Sequence, residues 1–185
     1  MDTKDPSEEV RFAANLEGLI ECVYEIVKDV YQSGYKIVNP EILKVAGKFI
    51  NQFDKVRLTN GYIRRSSKHW PKILSRDKSF FLENAHEIFA ELPMAEVKAF
   101  NELFTLKDKN GDDIVGKDKE EELWEFFHAM CKISIKYIHR KREPYTKKGS
   151  NGAMLYDYES EFFEEIDLSD TSQKWGIKLV FPQPK

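Results

Sequence analysis

"DKEEELWEFFHAMCKISIKYIHRKR", residues 118–142, decides the fold class. Stepped at 100° per residue, Leu123, Phe126, Phe127, Met130, Cys131, Ile133, Tyr137 and Ile138 form a single apolar stripe. Acidic residues fill its first turn, where the positive end of a helix dipole favours them. The spacing predicts a long amphipathic helix that must bury one side against other helices.

The same periodicity recurs upstream. Residues 8–33 carry Leu16, Leu19, Ile20, Val23, Ile26, Val27 and Val30 at helical spacing, with Pro6 and Ser7 at the start and Gly34 at the stop. Asn39-Pro40 opens a second helix, whose apolar positions are Ile42, Leu43, Val45, Ala46, Phe49, Ile50 and Phe53. "TNG" at 59–61 reads as a turn, and residues 62–75 as a helix interrupted by Pro71. A helix over 78–92 ends at Pro93, and "MAEVKAFNELFTL" (94–106) follows as another. "KWGIKLVFPQP" (174–184) alone resembles a strand. The expected architecture is all-α: a compact bundle of five or six helices with an acidic, partly extended C-terminal arm. Its parts are a tail at 1–7, a helical domain at 8–143, a loop and acidic aromatic segment at 144–172, and an extended arm at 173–185.

Composition fits one globular domain: of 185 residues, 41% are hydrophobic and 33% charged. No apolar run approaches the roughly 18 residues a membrane span needs. "MDTKDPSEEV" does not read as a secretory signal. Cys22 and Cys131 stand in apolar helical stretches without metal-type spacing, which points to reduced thiols and a cytoplasmic location.

The net charge of −3 conceals segregation. Residues 55–78 and 132–148 are strongly basic, whereas residues 149–173 contain no Lys or Arg. "YIRRSSKHWPK" (62–72) mixes cations with aromatics, types that grip phosphate and stack on bases. Its candidate nucleic-acid contacts are Arg64, Arg65, Lys68, Trp70 and Lys72; Arg140, Lys141 and Arg142 form a second set.

"DKNGDDIVGKDK" (108–119) begins like a calcium-binding loop, with Asp108, Asn110 and Asp112 at positions 1, 3 and 5. Position 6 is Asp113 where the loop wants Gly, and position 12 is Lys119 where it wants a bidentate Glu. Glu120 falls one place late. The expected reading is a polar turn, with a degenerate calcium-responsive loop as an alternative. Glu83/His86 and Glu125/His128 have the i, i+3 spacing of di-iron ligands, with Glu21 and Glu102 as further candidates. On helical wheels the two pairs face away from the apolar stripes, so no metal is expected there. No nucleophile, phosphate-loop or zinc signature is present, and neither enzymatic activity, a cofactor nor a small-molecule substrate is expected.

Trp175, Ile177, Leu179 and Phe181 alternate as a half-buried strand does. An isolated strand is unstable in water, so they are expected to dock on a protein partner or a second copy of the chain, with folding back onto the chain's own helices as the alternative. The function expected is non-enzymatic protein–protein contact or assembly, followed by nucleic-acid binding through the basic segments.

"KHWPKILSRDKSFFLENAHEIFAELPM" (68–94) and "LWEFFHAMCKISIKYIHRKREP" (123–144) resemble small α-helical proteins of large nucleocytoplasmic DNA viruses. The resemblance covers about a quarter of the chain. It implies a viral product, virion-associated or in the host cytoplasm, and assigns no functional residue.

Overall fold

The computed structural model describes residues 5–88, 90, 94–142, 163 and 165–180. Among these the chain is all-α. Its helices are α1 (Glu8–Gln32), α2 (Pro40–Ile50), α3 (Lys55–Ser66), α4 (Trp70–Leu74), α5 (Lys78–Ile88), α6 (Met94–Thr105), α7 (Lys117–Arg142) and α8 (Leu168–Lys174). A 3-10 turn (Ser67–His69) joins α3 to α4. Among the described residues none of the helices is long and apolar enough to cross a membrane.

The two long helices form the spine. Arg140 of α7 clasps Glu8 and Glu9 at the start of α1, and Asn15 donates its side-chain amide to the Phe126 carbonyl at 3.0 Å. Cys22 lies beside Glu122. As α1 advances, α7 retreats, so the pair is antiparallel. At the crossing a Cβ on Gly18 would stand 2.8 Å from Cε1 of Phe126, closer than two such atoms tolerate, so the Phe126 ring occupies space that Gly18 leaves open.

Tyr62 of α3 wedges into the spine. Its ring lies 5.1 Å from Phe12 of α1, and its hydroxyl sits 3.5 Å from the Cys131 Sγ on α7. Phe81 of α5 packs on Trp124 and Phe127, at 5.6 and 4.5 Å between ring centroids. α6 is tied to α5 by Asn101, which donates to the Leu82 carbonyl at 2.6 Å. α2 runs antiparallel along the far side of α1, with Lys44 over the Tyr24 ring and Gly47 against Ile20.

Residues 59–61 do not turn the chain: they lie inside α3. Asp54 caps that helix by accepting the Arg57 N–H at 2.8 Å, and Thr59 turns its hydroxyl back onto the Lys55 carbonyl. Thr59 and Asn60 are buried, so tertiary packing overrides their turn preference. Pro71 does not break a helix either. It occupies the first turn of α4, where a missing N–H costs nothing.

Three helices end in one hydrogen-bond pattern, in which the second residue past the cap reaches back to the third-last helical carbonyl. Tyr35 bonds the Val30 carbonyl, Asp77 that of Lys72, and Ile177 that of Ser172. The residue between cap and closing amide must take positive φ. Gly34 (98°) and Gly176 (65°) do so freely. At the end of α4 the position is Arg76, the one non-glycine with positive φ among the described residues, at 55°.

The arm folds back in cis. Trp175 is 6% exposed and meets His128 of α7 edge-on, ring centroids 5.3 Å apart. Ile177 and Leu179 pack on the core, Phe163 lies against Tyr137, and His139 holds the Val180 carbonyl at 2.8 Å. This is the cis arrangement given above as the alternative to docking on another molecule: Trp175 lies on the chain's own α7, and Ile177 and Leu179 on its core. The alternating burial holds, because Gly176 and Lys178 face solvent. Phe181 lies outside the described residues.

Candidate interaction surface

The later half of the first basic segment, from Lys68 to Lys78, is neutralised by its neighbours. Lys68 pairs with Glu87, Lys72 with Asp77 at 3.0 Å, and Arg76 with Glu121 and Glu125. Lys78 pairs with Glu120 at 2.8 Å. Lys72 also lies over the Phe80 ring. Trp70 is 2% exposed, with its indole N–H donated to Ser66 Oγ at 3.0 Å. Its nomination as a base-stacking group is corrected, since a ring enclosed by protein offers no face to a base. Arg65 is partly buried, and desolvation lowers its pKa from the usual arginine value. Arg64 remains exposed on the outer side of α3.

The second basic set is used in the same way. Arg140 closes the spine on Glu8 and Glu9, and both it and Lys141 lie over the Tyr137 ring, at 5.6 and 5.5 Å. Arg142 ends α7, and its side chain lies outside the described atoms.

The loop at 108–113 is held by its own backbone. Asp108 accepts the N–H groups of Asn110 and Asp112 at 2.7 and 3.0 Å, and Asp113 pairs with Lys107 across an isolated antiparallel bridge. Lys119 turns to Glu122, and Glu120, the displaced chelator, is engaged by Lys78. Glu83, His86, Glu21 and Glu102 face solvent. His128 does not: it is partly buried and bonded to the Ile73 carbonyl at 3.0 Å. Among the described residues no three His, Cys, Asp or Glu side chains are grouped to hold a metal ion.

Both thiols are buried. Desolvation and the nearby Glu122 carboxylate push Cys22 up to about 11, and burial pushes Cys131 up to about 12. Neither is a thiolate near neutral pH, so neither is a nucleophile.

What the structure leaves open is the outer side of α2 and the turn that follows. Leu43 and Ile50 turn inward, whereas Ile42, Val45 and Phe53 are 44%, 52% and 53% exposed. Ile42 and Val45 are one turn apart on the same side of α2, and Phe53 follows just beyond its end. These three are among the apolar positions read for this helix from the sequence. The signal was in the sequence: Ile42, Leu43, Val45 and Ile50 span an arc wider than a single neighbour such as α1 covers.

Neither a family model, nor a curated protein, nor a solved structure matches the chain.

Proposed function

We propose that this protein acts by non-catalytic contact with another protein, and that α2 with the turn after it is the contact face. One observation carries the reading. Three large apolar side chains, Ile42, Val45 and Phe53, stand about half exposed along α2 and the turn after it, where the exposed large apolar residues among those described are most concentrated; Val10, Tyr31, Met94 and Val180 are exposed singly elsewhere. Such residues gain when a partner removes them from water, at about 25 cal/mol per Å². The likeness to virus proteins agrees with a role in assembly. Binding of nucleic acid is less favoured, because three of the seven nominated cations, Lys68, Lys72 and Arg140, already serve internal ion pairs and Trp70 is enclosed.

The test places a photo-crosslinking amino acid at position 45, with a control at exposed Glu83, in the native source. Position 45 should give a discrete protein adduct that the control lacks and that Ile42→Asp removes. Equal labelling from both positions would refute the reading.

A further inference from the structure

α2 and the turn after it, which expose Ile42, Val45 and Phe53, also run into a basic stretch. Between residues 39 and 57 there are four cations and two carboxylates, in a chain whose net charge is −3. Lys44 is matched by Glu41 at 2.8 Å. Lys48, Lys55 and Arg57 are exposed and make no ion pair among the described residues. Asp54 is the nearest carboxylate in sequence, and its Oδ1 is occupied by the Arg57 backbone N–H.

Two of these cations are placed against helix electrostatics. Lys55 and Arg57 lie in the first turn of α3, which contains no acidic residue. The N–H groups there create positive potential, which the Asp54 cap offsets at the Arg57 N–H and which the two cations add to. Lys78 has the same placement at the start of α5, but there Glu120 compensates it. At the start of α3 the Asp54 carboxylate caps the helix, but no ion pair to Lys55 or Arg57 forms among the described residues. Sequence rules tend to be broken where function requires it.

From this pairing of an apolar stripe with uncompensated charge we infer that the partner presents an acidic amphipathic helix, with apolar residues at i, i+3 or i+4 spacing flanked by Asp or Glu. The inference rests on the contact role proposed above for α2. The apolar residues of such a helix would cover Ile42, Val45 and Phe53, packing its side-chain ridges into the grooves of α2. Its carboxylates would meet Lys48, Lys55 and Arg57, steering association and selecting against basic partners. Apolar side chains at helical spacing favour a helix over a nucleic acid, whose phosphates gain nothing from them.

The experiment uses the full chain and two fluorescent probes. One is a three-heptad peptide with Leu at positions a and d and Glu at the flanking positions; the other is its twin with Lys for every Glu. The acidic peptide should bind, and weaken about tenfold between low and high salt as screening shortens the reach of the charges. The basic twin should not bind. Combining Lys48→Glu, Lys55→Glu and Arg57→Glu should weaken binding at least about tenfold. The same change brings acid to the first turn of α3, so thermal stability should hold or rise while binding falls.

If both peptides bind equally and Val45→Asp abolishes both, the acidic partner is wrong and the α2 face survives. Binding that ignores Val45→Asp removes both readings. Charge-dependent binding to vesicles of phosphatidylserine and phosphatidylcholine, or to a single-stranded oligonucleotide, without peptide binding, overturns the inference in favour of that anion. Silence from every probe overturns it outright.

Discussion

His128 on α7 donates its Nε2–H to the backbone carbonyl of Ile73 at 3.0 Å, since a carbonyl oxygen can only accept. The ring also bears edge-on against Trp175, so one imidazole joins α4, α7 and the C-terminal strap. Desolvation, with smaller contributions from Arg76 and Lys132, lowers its pKa below 6.5, against the opposing Ile73 hydrogen bond and Glu125. The unfolded chain therefore takes up a proton before the folded one. This contribution to stability is complete above about pH 6.5 and declines as pH falls toward the folded value. Urea unfolding should give a lower midpoint at pH 5.5 than at pH 7.5, and His128→Gln should flatten that difference. An unchanged pH slope in the variant would assign the effect elsewhere.

Arg76 makes a second test possible. Its backbone holds the left-handed conformation at the end of α4, while its guanidinium reaches Glu121 and Glu125. Arg76→Ala and Arg76→Gly lose the same ion pairs, but only glycine relaxes the backbone. The glycine variant should be the more stable of the two by about 1 kcal/mol. Equal stabilities by chemical denaturation would mean that the turn rearranges on substitution.

The strap yields the third expectation. Trp175 is buried against His128, and Ile177 and Leu179 cover the core beside it. Trp175→Ala should cost about 2–4 kcal/mol, somewhat below a fully enclosed tryptophan because the site lies at the edge of the fold. Removal of 173–185 should lower the melting temperature by many degrees. A truncated chain that melts with the intact one would show that the strap contributes nothing in solution.

The helices were legible because their apolar residues repeat at the helical period. Residues 118–142 predicted α7, and residues 8–33 predicted α1 with its glycine stop at Gly34. The errors share one cause, which is that burial is a tertiary property. Thr59 and Asn60 look like a turn until packing encloses them within α3. Trp70 looks like a stacking platform because its sequence neighbours are Lys68, His69 and Lys72, yet helical geometry sends the ring inward while Lys68 and Lys72 stay exposed. The arm's alternation was readable, but not which surface it would meet. At α2 the apolar positions were readable, but not which of them a neighbour would cover: Leu43 and Ile50 are turned inward, Ile42 and Val45 are not.

The spine also has a consequence for how the molecule comes into being. Asn15 waits for a carbonyl 111 residues later, and Glu9 for a guanidinium 131 residues later. At about 5–20 residues per second, roughly 5–25 s of synthesis separate α1 from its principal neighbour. α2 and α3 are made early enough to shelter part of α1, but the side bearing Asn15, Gly18 and Cys22 stays open until α7 leaves the ribosome. Nascent chains halted before residue 117 should therefore be bound by chaperones, and released once α7 is free.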